Sequence, residues 1–252
     1  MKIERFEAID RCLYWKEKQT LVVGDLHLGY EENLNESGIS IPKSQLKETI
    51  EIFERIFRVL KEKDWKIKEI VLLGDVKHYF SGILRQEFGD FKKVINLFEK
   101  NIEQNGKIFV VKGNHDNILE PITREYKNIE LKEYYNIEDI LFLHGHQLNM
   151  EKLNLKIVDK KNKLLVMGHF HTAISLIEGA KNEKFKCFLY GKLDLVKKYV
   201  IAMPSFFPLI EGSDILTEFD VDLSNFKVYI LDEESNIYDF GKVKNLKHNP
   251  FH

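Results

Sequence analysis

Cysteine is nearly absent from the 252 residues: Cys12 and Cys187 lie far apart, with no Cys-x-x-Cys spacing. That excludes a disulfide framework and a thiolate metal site, and it fits a reducing compartment. Long apolar runs are missing too. Ile70–Leu73 and Leu164–Met167 are among the longest, far short of the ~20 residues a membrane span requires. No apolar segment follows Met1-Lys2-Ile3-Glu4, so the expectation is a cytoplasmic protein without a secretory signal and without a membrane partner. There is no excess charge of one sign: 38 basic and 40 acidic side chains leave −2. That balance argues against a dedicated, field-driven binder of nucleic acid or of a membrane surface and leaves room for a local basic patch. Arginine is scarce, with six residues against many lysines, a usage that points to a thermophile or an AT-rich genome. Repeats, low-complexity segments and a convincing linker are also lacking. What is present, 44% hydrophobic and 31% charged residues, suffices for a sizeable core. The expectation is a single domain over 1–252, with a short β-rich C-terminal extension from about 210.

Hydrophobic periodicity divides the chain. Lys2–Glu7, Arg11–Trp15 and Thr20–Gly24 read as short strands, and a polar stretch runs to Ile41. Pro42 opens a helix with Leu46, Ile50, Phe53, Phe57 and Leu60 on one face. A second helix carries Leu84, Phe88, Phe91, Ile95, Phe98 and Ile102 until Gly106 stops it. Between and after them, Ile67–Leu73 and Lys107–Lys112 are continuous apolar strands, so the order is βαβαβ and the sheet parallel. Ligands bind such sheets at the carboxyl ends of the strands. Beyond Pro121 the pattern is mostly strands, among them Ile129–Tyr135, Ile140–Leu143, Leu164–Met167, Ala173–Glu178, Phe185–Tyr190, Tyr199–Met203, Phe226–Leu231 and Asn236–Phe240.

Histidine marks the chemistry. Of nine histidines, only His248 and His252 fall outside five short clusters at the ends of apolar runs. These are Gly24-Asp25-Leu26-His27, Gly74-Asp75-Val76-Lys77-His78, Gly113-Asn114-His115-Asp116, His144-Gly145-His146 and Gly168-His169-Phe170-His171. Each supplies a glycine for a tight turn and a carboxylate, amide or imidazole able to reach across neighbouring strand ends. Without sulfur, such donors suit Mn, Fe, Co or Zn, and two ions can share the set if one carboxylate bridges. In Asp25-x-His27 and His169-x-His171, alternation along an extended strand would put both side chains on one face. Singly, each motif has an ordinary explanation as a turn, a surface pair or a satisfied loop. Five of them in order, each on a strand end, do not.

In that order the clusters resemble the five motifs of the calcineurin-like metallophosphoesterases, over residues 20 to about 175. Within that superfamily the chain is similar to the SbcD-related, ICC-like predicted phosphoesterases, a group that includes the ligase-associated PdeM endonucleases. Gly24–Glu31 and Met203-Pro204-Ser205-Phe206 with Pro208, Leu209 and Gly212 carry the narrower likeness. The resemblance implies an α/β, four-layer fold, a β-sandwich of two mixed sheets flanked by helices. It implies two divalent metal ions, manganese first among Mn, Fe, Zn, Co and Ni. Asp25, His27 and His171 would hold one, Asn114, His144 and His169 the other, and Asp75 would stand between them. His115 would face the substrate as general acid, with Asp116 behind it to orient it and raise its pKa. His78 and His146 would touch phosphate or support a ligand, and for His146 an exchange of roles with His144 stays open.

Two divalent cations against two carboxylates leave a charge of roughly +2, which attracts phosphate and stabilises an in-line transition state. The implied activity is phosphodiester hydrolysis by a metal-bound hydroxide, with nucleic acid, DNA in a repair setting, as substrate. The alternative is a phosphodiesterase or phosphatase of small nucleotides or other small phosphoesters. A third reading, a catalytically silent scaffold, sits badly with retention of every implied ligand. Lys152, Lys156, Lys160, Lys161 and Lys163 lie between the last two motifs and could track a phosphate backbone; a solvated face is their ordinary reading. Protein partners are not indicated.

Overall fold

The computed structural model of the chain describes residues 1–80, 84–116, 118–148, 157–178 and 181–246. The alternating strands at the start form a meander in which β1 (Lys2–Ile3), β2 (Phe6–Ile9), β3 (Cys12–Trp15) and β4 (Thr20–Val23) pair antiparallel in sequence order. The continuous apolar segments β5 (Glu69–Leu72) and β6 (Lys107–Val111), then β7 (Ile129–Lys132), add in parallel to β4 and complete a seven-stranded sheet. Strands buried on both faces need such unbroken apolar sequence.

The second, nine-stranded sheet begins with β8 (Tyr135–Ile137), β9 (Ile140–Leu143) and β10 (Leu164–Met167), followed by β11 (Thr172–Glu178), β12 (Lys181–Leu193) and β13 (Lys198–Ala202). Here β9, β10 and β13 are mutually parallel. The segment after residue 210 contributes strands to this sheet: β14 (Ser213–Asp214) pairs with β11 and β15 (Lys227–Leu231) with β12, and β16 (Ile237–Lys242) closes the edge.

Side chains alternating along these strands create three apolar layers. Leu21, Val23, Ile70, Leu72, Ile108 and Val110 face helices α2 (Gln45–Glu62) and α3 (Arg85–Asn101). Val22, Val71, Leu73, Phe109 and Val111 point the other way and meet Phe142, Val166, Phe188, Ile201 and Met203 between the sheets. Leu143, Leu165, Met167, Leu189, Val200 and Ala202 face outward from the second sheet, beneath Ile215, Leu216, Phe219, Leu223 and the short α5 (Val243–Leu246). The two-sheet α/β architecture follows, with the sandwich core as its middle layer.

Local differences from the sequence reading have physical causes. Helix α1 (Tyr30–Glu36) lies inside the stretch read as polar connection, because a mostly polar seven-residue helix has no apolar period. Helix α4 (Glu120–Thr123) is a single turn. In α2 the buried face is Ile52, Phe53, Ile56, Phe57 and Leu60. Phe88 of α3 is exposed rather than buried; Phe91, Val94, Ile95 and Phe98 carry the contact. Among the described residues no helix is long and apolar enough to cross a membrane.

Candidate metal centre

Five loops leave the carboxyl ends of β4, β5, β6, β9 and β10 and carry the five histidine clusters to one place. The expected alternation along extended strands does not bring the ligand pairs together. His27, Asp75, His169 and His171 instead lie past the strand ends with φ of 47°, 47°, 67° and 45°. Left-handed backbone at such residues costs ~1–3 kcal/mol each and persists only where the surroundings impose it. Here they do. The Leu26 and His27 amides donate to the Asp75 carbonyl at 3.1 and 2.8 Å, Leu28 to Val76 at 2.9 Å, and Ser213 to the His171 carbonyl at 2.8 Å. Glycine makes the approach possible: a Cβ on Gly113 would sit 2.1 Å from Asp75 Oδ1.

Three groups of donors result: two take in the expected ligands, and His27, His78 and His115 form a third, also within 4.8 Å of one another. In the first, ligand atoms of Asp25, His27 and His171 lie within 4.8 Å of one another, with the two Nε2 atoms 3.1 Å apart. In the second, His144 Nε2 lies 3.1 Å from Asn114 Oδ1, 3.1 Å from His169 Nδ1 and 3.2 Å from Asp75 Oδ2. His144 Nδ1 donates to the Leu73 carbonyl at 2.6 Å, which leaves Nε2 as the atom that faces the group. Asp75 spends Oδ1 on the His115 amide, while its Oδ2 faces His144 Nε2 and also His27 Nε2 at 3.8 Å. A single carboxylate oxygen thus looks into both groups. Nitrogen and oxygen lone pairs crowded to this degree, with no thiolate, fit a pair of borderline divalent cations.

Charge tells the same story. Burial would raise the Asp25 carboxyl, but His171, His144 and His27 hold it below the usual range. Asp75 is likewise held down, to about 2, as His144 outweighs burial. Burial, then His171, pushes His27 down to about 3, and burial, then His144, pushes His169 down to about 4. These rings are neutral near pH 7, the form that ligates metals. His144 is the exception: burial opposes its charge, yet Asp75 and Asp25 push it up to about 9. The two carboxylates favour a positive charge on that ring.

The remaining site residues divide. His115 Nδ1 donates to the His78 carbonyl at 2.5 Å, and its Nε2 lies 4.0 Å from Asp75 Oδ2 at the rim of the first group. Asp116 does not stand behind it. Its Oδ1 accepts the Val76 amide at 3.0 Å and its Oδ2 the Gly113 amide at 2.9 Å, so it ties the β5 and β6 loops together. The His115 ring is held at Nδ1 by the His78 carbonyl, while both Asp116 oxygens accept backbone amides. Burial, then Asp75, pushes Asp116 up to about 6. His78 packs beside His115, with rings 5.4 Å apart, and its Nδ1 lies 3.3 Å from His27 Nδ1. His146 is beside His144 and His169 but in neither donor group. Lys160, Lys161 and Lys163 precede β10, whereas His169 and His171 follow it, so the strand separates them from the centre. Lys152, Lys156, His248 and His252 lie outside the described residues.

Several supporting residues gave no sequence signal beyond their place on a helix or strand. Gln45 Nε2 donates to the His27 carbonyl at 2.6 Å. Glu87 Oε1 accepts the amides of His78 and Tyr79 at 3.0 and 2.5 Å, a role announced only by its place in the first turn of α3. Buried Lys186 donates to the Ser205 and Phe207 carbonyls at 3.0 and 2.8 Å and to Ser205 Oγ at 2.8 Å. The Phe207 amide in turn donates to the Asp25 carbonyl at 3.0 Å. The Met203–Pro208 motif therefore backs the first donor group.

The model of the calcineurin-like phosphoesterases matches residues 18–202, most of the chain and all five loops. The chain belongs to this family. Membership makes it a phosphoester hydrolase by class and gives the fold its name, the calcineurin-like sandwich. No curated protein matches the sequence. Among solved structures, the nuclease MPE of Pseudomonas putida aligns over 91% of this chain and 92% of its own, at 18% identity and a TM-score of 0.59. A predicted phosphoesterase from Streptococcus pneumoniae (87% and 91% covered, 18% identity) and zinc-complexed Vps29 from Entamoeba histolytica (88% and 99%, 17%) overlap with TM-scores of 0.35 and 0.37, too low to carry an argument. At such identities the nuclease shares the calcineurin-like fold.

Proposed function

We propose that this calcineurin-like phosphoesterase is a dinuclear enzyme that hydrolyses phosphodiester bonds in nucleic acid, DNA first. The observation that carries the reading is Asp75 Oδ2 facing both His144 and His27, with a complete donor group on either side. Asp25, His27 and His171 would hold one ion, Asn114, His144 and His169 the second, and Asp75 both. Bound there, two divalent ions supply Lewis-acid stabilisation of phosphoryl charge and an activated water. Nitrogen and oxygen donors make manganese the first metal to test, with Fe, Zn, Co and Ni behind it.

This chain's own residues do the rest. His115 donates its Nδ1–H to the His78 carbonyl, which holds Nε2 at the rim of the first group; as general acid it would act in the imidazolium form, giving the leaving oxygen a second proton carried at Nε2. His78, beside it and with its Nδ1 3.3 Å from His27 Nδ1, would contact phosphate or support that ligand. Asp116 keeps the loops of Asp75 and Asn114 in register. A nucleic-acid substrate is supported by the fold shared with a nuclease along nearly both chains. A second reading, short nucleotide substrates, is favoured by the lysines at the far end of β10.

The test is turnover by manganese-loaded protein of bis-p-nitrophenyl phosphate, p-nitrophenyl phosphate, cyclic nucleotides, and single- and double-stranded DNA. Cleavage of the diester and of DNA supports the first reading. Cleavage of cyclic nucleotides without DNA supports the second, and monoester turnover alone overturns the diesterase assignment.

A further inference from the structure

A cavity of about 350 Å³ adjoins the centre on the side of the second donor group; His169 belongs to both, and His146 beside it lines the cavity. Its walls are mostly apolar, and Phe170 and Phe219 pack against each other there, ring centroids 5.9 Å apart and planes tilted by 47°. Its rim carries the exposed carboxylates of Asp220 and of Glu218, whose Oε1 is engaged by Lys184 at 3.3 Å and by the Asp214 amide at 2.9 Å, and no lysine or arginine lines it among the described residues. Such a chamber repels a second phosphate. It suits a neutral, flat, partly apolar group with N–H donors, and its volume is that of a small-molecule site. We propose that this cavity is a nucleoside subsite: a base joined through its sugar to the reacting phosphate stacks on Phe219, with Phe170 against its edge, and offers its N–H edge to the Asp220 carboxylate. The inference rests on the phosphodiesterase reading and deepens it, naming a nucleoside diester as the substrate class.

Two diesters with the same leaving group separate the effects, thymidine 5′-(p-nitrophenyl) phosphate and methyl p-nitrophenyl phosphate. Base–aromatic stacking implies that manganese-loaded wild type favours the nucleoside ester by about tenfold or more in kcat/KM. Phe219→Ala should reduce that preference about tenfold, mainly through KM. Leu195→Trp, which fills the cavity from an exposed turn without removing a wall, should do the same. In a measurement free of catalysis, thymidine alone should show saturation transfer from the protein to its base protons, lost in Leu195→Trp. Equal preference for the two esters, or a preference that survives both substitutions, overturns the subsite. If wild type hydrolyses neither ester, the phosphodiesterase reading fails, and the thymidine experiment then decides the subsite by itself: transfer blocked by Leu195→Trp upholds it, and no transfer overturns it.

Discussion

His144 Nε2 lies 3.2 Å from Asp75 Oδ2 while the same ring's Nδ1 is committed to the Leu73 carbonyl. Asn114 Oδ1 and His169 Nδ1 crowd the same nitrogen at 3.1 Å each. Unshared pairs converging on one point are tolerable only if a cation occupies it, a proton or a metal ion.

In metal-free protein that cation is a proton, since Asp75 and Asp25 overcome burial and push His144 up to about 9. A metal at His144 must expel it. Loading at pH 7–8 should therefore release close to one proton per chain, and apparent affinity should rise about tenfold per pH unit until about pH 9. Calorimetric titrations in buffers of different ionisation enthalpy measure the release. No released proton would mean that His144 is already neutral before metal arrives.

Gly113→Ala should cost the protein its metal. The new Cβ would fall 2.1 Å from Asp75 Oδ1 and 2.3 Å from its amide nitrogen, so the shared carboxylate must move. Gly89, inside α3 with nothing near its missing Cβ, makes the contrast: Gly89→Ala should stabilise by ~0.5–1 kcal/mol and leave metal content unchanged. Elemental analysis and thermal melts of the two variants check both statements.

His115→Asn should keep both metals and lose rate, because His115 is outside the proposed ligand set, although it clusters with His27 and His78. General acid catalysis is worth ~10²–10⁴-fold and matters most for a poor leaving group. The loss should be far greater on a dinucleotide or DNA, whose alkoxide needs the proton, than on bis-p-nitrophenyl phosphate. Equal losses on both would assign His115 to phosphate binding, and lost metal would place it among the ligands.

Lys186→Met should destabilise the fold. It leaves the Ser205 and Phe207 carbonyls and Ser205 Oγ without their buried donor, at ~1–3 kcal/mol for each unsatisfied group. A denaturant melt should show a loss of about 3 kcal/mol or more. A loss below 1 kcal/mol would show that the 203–208 segment is held by other contacts.

The sequence made the strand ends and the donors legible because buried parallel strands are continuous apolar runs and each ended in a histidine cluster. Asp25, Asp75, Asn114, His144, His169 and His171 could be picked out for that reason. The left-handed turns at His27, Asp75, His169 and His171 were not legible, since non-glycine residues adopt them only under tertiary constraint. The resemblance puts Asp116 behind His115; the partners it takes, the Val76 and Gly113 amides, depend on how two loops meet in space. Gln45, Glu87 and Lys186 were hidden for the same reason, as polar residues whose work is done far from them in sequence.

Metal content per chain tests the central claim most directly. Metal-free protein loaded with manganese, freed of excess and measured for metal and protein together should hold two ions per chain, and Asp75→Ala should hold fewer than one tightly. A single ion in the fully loaded wild type would contradict the dinuclear centre.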